Sequence, residues 1–181
     1  MTDDLIARLV DDLKPVPAQA LLRRLLFAIL LGTLISVLSM AMVLGFRPDL
    51  VEAAGTAMFW VKFFYTAALG LAGIWAVARV SRPGQGGGRP LSIVLVVVTV
   101  IAVVSIVDYA LAPLEARPAM LMGSTALLCP FFIVALSAPF FAAGIAFMRQ
   151  AAPTKLTVAG ASVGLAAGAL GAWVYSFHCT E

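Results

Sequence analysis

Two cysteines and one histidine are the residues of this sequence best suited to chemistry, and two of the three are adjacent. Cys129 precedes a proline inside a long apolar run, and His178-Cys179 lies close to Glu181. Thiolates and imidazoles hold soft metal ions, and two thiols in an oxidising compartment can join as a disulfide. The rest of the catalytic inventory is thin. The sequence contains no nucleophile elbow, Walker loop or metalloprotease motif. Gly86-Gly87-Gly88 follows no strand and reads as a flexible linker. The chain therefore reads as a protein without enzymatic activity and without a resident cofactor. The one group expected to visit it is a transient heavy-metal ion at Cys129 and Cys179, with His178 as an added imidazole. Against that stands the plainer reading of two unrelated cysteines packed as small apolar side chains.

The elements that must position these residues follow from composition. Of the 181 residues, 62% are apolar and 12% charged, and the mean hydropathy is +1.05. A soluble domain carries roughly 25% charged residues, so this chain cannot cover itself in water. A membrane-spanning helix needs about 20 apolar residues. Five segments qualify, at 25–46, 57–78, 91–112, 124–148 and 156–177. Lipid offers backbone groups no partners, and the runs are too long and unalternating for barrel strands, so the fold class is all-α: a polytopic helical bundle in a lipid bilayer. The first run follows an acidic start and is too long for a signal peptide, so it reads as a retained anchor. Short Pro- and Gly-marked connections make successive helices antiparallel. No basic stripe alternates with aromatics, which argues against nucleic acid as a partner.

Orientation follows from the basic residues. The N-terminal tail (Arg8, Lys14, Arg23, Arg24), the second loop (Arg79, Arg82, Arg89) and the fourth loop (Arg149, Lys155) hold nine of the twelve. The positive-inside rule then places the N-terminus in the cytoplasm and, after five spans, the C-terminus outside. Both cysteines fall on the outer side. In an antiparallel hairpin centred near Ala152, Cys129 lies opposite Tyr175, about four residues or roughly 6 Å from the depth of Cys179.

Two charges lie inside the spans, Lys62 and Asp108, at matching depth in the second and third. Intramembrane charges usually have partners, so the expectation is an intramembrane ion pair, with independent snorkelling as the alternative. Gly160, Gly164 and Gly168 recur every fourth residue, with Gly171 beyond. Such a face admits another helix closely, within the same bundle by expectation, or in a homodimer.

The first twenty residues form a separate unit. Leu5, Ile6, Leu9, Val10 and Leu13 make one apolar stripe at helical spacing, with Asp3, Asp4, Arg8, Asp11 and Asp12 around it. Pro15 and Pro17 stop the helix. Its acidic face argues against an anionic membrane surface. It reads as bait for a soluble partner with an apolar groove, the alternative being that it docks on its own bundle.

The leader Asp4-Leu5-Ile6 through Leu9, Asp12-Leu13 and Pro15-Val16, the pair Cys129-Pro130, and the late His178-Cys179 together resemble the NrsF family, membrane-bound anti-sigma factors of proteobacteria. The resemblance implies an inner-membrane protein whose cytoplasmic N-terminus sequesters an extracytoplasmic-function sigma factor. It also implies that Cys129 and Cys179 sense heavy-metal or oxidative stress and release the sigma factor. It implies six spans, where this sequence holds five; a missing sixth is expected to leave a packing face open to lipid or to another copy. The organisation expected is then a sigma-binding tail at 1–20, a bundle at 21–178 and an external end at 179–181, with Leu5, Ile6, Leu9, Val10, Asp12 and Leu13 on the sigma factor. The competing functions are a membrane thiol oxidoreductase, disfavoured because an electron relay wants two cysteine pairs, and a small transporter or accessory subunit, disfavoured by the scarcity of intramembrane polar groups.

Overall fold

A computed structural model describes residues 19–86, 88–122 and 127–179. The tail residues from Leu5 to Leu13 lie outside the described residues. Among those described, the architecture is all-helical. Five helices are long and apolar enough to cross a membrane: α1 (Ala20–Val43), α3 (Ala57–Val80), α4 (Gly88–Leu111), α6 (Cys129–Met148) and α7 (Leu156–Tyr175). Two short helices sit in the connections, α2 (Leu50–Ala53) and α5 (Arg117–Met122).

The ends of the spans have local causes. α1 begins before the expected Leu25 and takes in Arg23 and Arg24. It stops where Gly45 adopts a φ of +74°, and the amides of Leu44 and Gly45 both return to the Met40 carbonyl. A left-handed glycine just past the last turn is the common helix stop. α6 begins at Cys129, later than the expected 124, with Pro130 in its first turn, where its missing N–H costs nothing. The Arg117 guanidinium donates to the Ala110 and Ala112 carbonyls and lies over the Tyr109 ring, closing the end of α4.

α7 is the centre of the bundle and packs against α3, α6 and α1, while α1 also packs along α6. Two apolar clusters fill the interior. One joins Leu25, Val77, Val80, Phe147, Met148 and Val163 near the first turn of α1. The other joins Met40, Leu136, Phe140, Ala167, Val174 and Tyr175 near its last turn. Small residues set the helix spacing. A Cβ at Gly73 would lie 2.7 Å from Ala166 Cα, one at Gly144 2.7 Å from Val163 Cγ1, and one at Gly32 2.7 Å from Phe140 Cδ1; at Gly171 it would collide with the Ser137 hydroxyl. The buried Ser36 hydroxyl donates to the Leu136 carbonyl across α1 and α6 at 2.9 Å.

The glycine stripe corrects the expectation of close packing within the bundle. A Cβ at Gly160, Gly164 or Gly168 would meet nothing within 4 Å. Only Gly171, at the end of the series, is pressed against a neighbour. α4 is the outlying span: it packs chiefly on α3, and of its residues Pro90 is buried.

Candidate functional site

The site lies where α1 ends, α6 begins and α7 ends. Cys129 is the first residue of α6, and the Tyr175 hydroxyl, in the last turn of α7, donates to its Sγ at 3.1 Å. The hairpin register that sets Cys129 opposite Tyr175 is therefore the register observed. One turn on, the Cys179 amide donates to the Tyr175 carbonyl at 3.0 Å. Tyr175 thus stands between the two cysteines, bonded to one through its side chain and to the other through its backbone. Both cysteines are half-buried and pack on the same apolar cluster. Phe132 stacks on the Tyr175 ring at 6.2 Å, and His178 lies 5.7 Å away on it.

The loop after α1 grips this segment. His178 Nδ1 is 3.0 Å from the Gly45 carbonyl. The Arg47 amide donates to the Phe177 carbonyl at 3.2 Å, and Arg47 Nη1 donates to the Cys179 carbonyl at 2.8 Å. The other edge of the guanidinium meets Asp49 in a two-pronged pair, at 2.9 and 2.7 Å. The Arg47 side chain is 10% exposed and Asp49 43%. The hydrogen bond to Arg47 holds the Asp49 carboxyl below its usual range, and the same bond raises Arg47 above its ordinary value, with added attraction from Asp49 and Cys179. Two recesses open beside Arg47. One, of about 290 Å³, is lined by Arg47, Asp49, Glu52, Lys62, Ser176 and Cys179. The other, of about 310 Å³, is lined by Leu44, Phe46, Arg47, Tyr175, His178 and Cys179. Cys179 borders both.

Lys62 and Asp108 are not brought together. Among the described residues the ion pair is Arg47–Asp49, and Lys62 and Asp108 share none. Lys62 is half-buried on the recess that also holds Asp49 and Glu52, whereas Asp108 is exposed on the outlying α4. Among the described residues no three His, Cys, Asp or Glu side chains gather closely enough to hold a metal ion. His178, expected as an added imidazole ligand, has its Nδ1 on the Gly45 carbonyl, a contact that leaves Nε2 as the nitrogen able to meet a metal. The residue that sequence reasoning missed is Arg47, which no motif or spacing singles out.

Comparison with known proteins then gives a consistent picture. The family described as negative regulator of sigma F, NrsF, matches residues 9–181. The chain is 40% identical to the anti-sigma-F factor NrsF of Caulobacter vibrioides, an alignment covering 99% of this chain and 85% of that protein. It is 36% identical to the probable anti-sigma-F factor NrsF of Azospira oryzae, covering 99% and 84%. No solved structure matches it significantly.

Proposed function

The chain belongs to the NrsF family of negative regulators of sigma F, and on that footing we propose that it is an anti-sigma factor of a bacterial inner membrane, holding an extracytoplasmic-function sigma factor away from RNA polymerase. The observation that carries this reading is the near full-length identity to two proteins named as anti-sigma-F factors. The binding element is the tail at 1–20, whose apolar stripe Leu5, Ile6, Leu9, Val10 and Leu13, with Asp12 beside it, suits a groove on a soluble partner. A regulatory rather than enzymatic role accords with the family.

Release is assigned to the outer cysteines. Cys129 and Cys179 share one apolar cluster on either side of Tyr175, and Cys179 borders two recesses at the end of the bundle. That arrangement supports capture of a soft metal ion by the two sulfurs as they lose their protons, or their oxidation to a disulfide by an external two-electron oxidant that takes up the electrons as both thiol protons leave. Either would draw the Cys129 sulfur toward Cys179 and off the Tyr175 hydroxyl.

Co-purification tests both halves. The full chain, tagged and extracted from its host's membranes, is expected to bring down a sigma factor. Replacing Leu9 and Leu13 by Asp is expected to abolish that recovery without loss of membrane insertion. Replacing either cysteine by Ser is expected to preserve recovery but to block release by cadmium. Undiminished capture by the Leu9/Leu13 variant would remove the tail from the mechanism, and normal release from both Ser variants would remove the cysteines.

A further inference from the structure

The sensor reading leaves open how an event at Cys179 reaches a tail on the other side of a bilayer. The contacts between the end of α1 and the Phe177–Cys179 segment supply a route. Three bonds join residues 45–47 to residues 177–179: the Arg47 amide to the Phe177 carbonyl, Arg47 Nη1 to the Cys179 carbonyl, and His178 Nδ1 with the Gly45 carbonyl. All three are directional and fix register, unlike the ring contacts of Phe63 with Trp173 and Phe177, which tolerate sliding. The guanidinium cannot swing freely, because Asp49 holds its other edge in the bidentate geometry that fixes the plane of an arginine. From Val43 back to Ala20, α1 is an uninterrupted helix of 24 residues, about 36 Å of rigid rod, and the tail is attached at its far end.

We propose that Arg47 is a positioning residue that makes the end of α1 follow Cys179, so that a change at the cysteine pair moves the first span and, with it, the sigma-binding tail. This rests on the reading of the cysteines as the receiving end. A purely anchoring arginine would act differently: its loss would weaken the bundle and sigma retention together, with or without a signal. A positioning arginine separates the two, since the thiols would still be modified while the signal failed to arrive. A useful allosteric coupling amounts to about 5–150-fold in affinity, and that is the effect at stake.

The test uses the full chain with its sigma factor in membrane vesicles and cadmium ion as the probe. Two quantities are read on each sample: protection of the thiols from an impermeant maleimide, and sigma factor remaining on the membrane. Wild type is expected to lose sigma factor over the same cadmium range that protects its thiols. Arg47→Gln is expected to hold sigma factor at rest and to protect its thiols normally, yet to need at least about fivefold more cadmium for release, the lower end of such couplings. Asp49→Asn keeps the guanidinium but loses the partner that aims it, and an intermediate shift is expected; it serves as the second variant if Arg47→Gln does not fold. Release from both variants at the wild-type cadmium concentration overturns the inference and leaves the sensor reading standing. Wild-type vesicles that keep their sigma factor with fully protected thiols overturn the sensor reading and this inference together.

Discussion

Tyr175 binds the two cysteines into one site through different atoms, and those atoms can be separated by mutation. Tyr175→Phe keeps the ring against Phe132 and His178 and removes only the hydroxyl that donates to Cys129 Sγ. It is expected to cost about 0.5–1.5 kcal/mol, the usual worth of one hydrogen bond. Tyr175→Ala also empties the aromatic volume and is expected to cost about 3–5 kcal/mol. Thermal denaturation in detergent measures both, and a Tyr175→Phe protein as stable as wild type would show that the hydroxyl contributes nothing. At this scale the sequence was readable where residue type alone carries meaning. Cys129, His178 and Cys179 stood out because thiol and imidazole are scarce here, and the hairpin count placed Cys129 opposite Tyr175. Arg47 was not readable, because its acceptor carbonyl on Cys179 is 132 residues away in the chain. Lys62 and Asp108 show the complementary failure: depth follows from counting inward from loops, whereas the direction a side chain faces follows from rotational phase, which no loop length reports.

Among the elements, the spans themselves were legible because twenty apolar residues in a row have one stable arrangement in lipid. Their boundaries shifted where a cap decides them, as at Gly45 and Pro130. The glycine faces were harder. A spacing of four puts residues on one side of a helix, but what that side meets depends on the neighbour. Gly160, Gly164 and Gly168 face open space, while the approaches closer than 3 Å fall on Gly32, Gly73, Gly144 and Gly171, one in each of four helices. The contrast sets a paired expectation. Gly171→Ala must drive its Cβ into the Ser137 hydroxyl and nearby α6 backbone and is expected to destabilise by about 1–3 kcal/mol. Gly164→Ala meets nothing and is expected to be neutral or to stabilise by up to about 1 kcal/mol through helix propensity. Denaturation midpoints in the same detergent decide it, and a large loss for Gly164→Ala would mean that this face is occupied in the membrane.

For the molecule as a whole, the orientation proposed from charge has a direct check. Reporter fusions after Gly86 and Ala152 are expected to read as cytoplasmic, and fusions after Glu52 and Ala116 as external; a cytoplasmic signal after Ala116 would invert the scheme and put the cysteines in a reducing compartment. The two arginines on the proposed outer side are consistent with that orientation despite their charge, because both are committed to main-chain carbonyls: Arg47 to that of Cys179, Arg117 to those of Ala110 and Ala112. The central place of α7 has a consequence for how the protein is made. α1, α3 and α6 all precede α7 in the chain, yet each packs against it. While the ribosome is still translating residues before Leu156, the earlier spans can enter the bilayer but lack their common partner. Gly73 and Gly144 then face lipid in place of Ala166 and Val163. The Arg47 grip on Phe177 and Cys179 can close only after α7 has docked, so it forms later than any contact among the earlier spans.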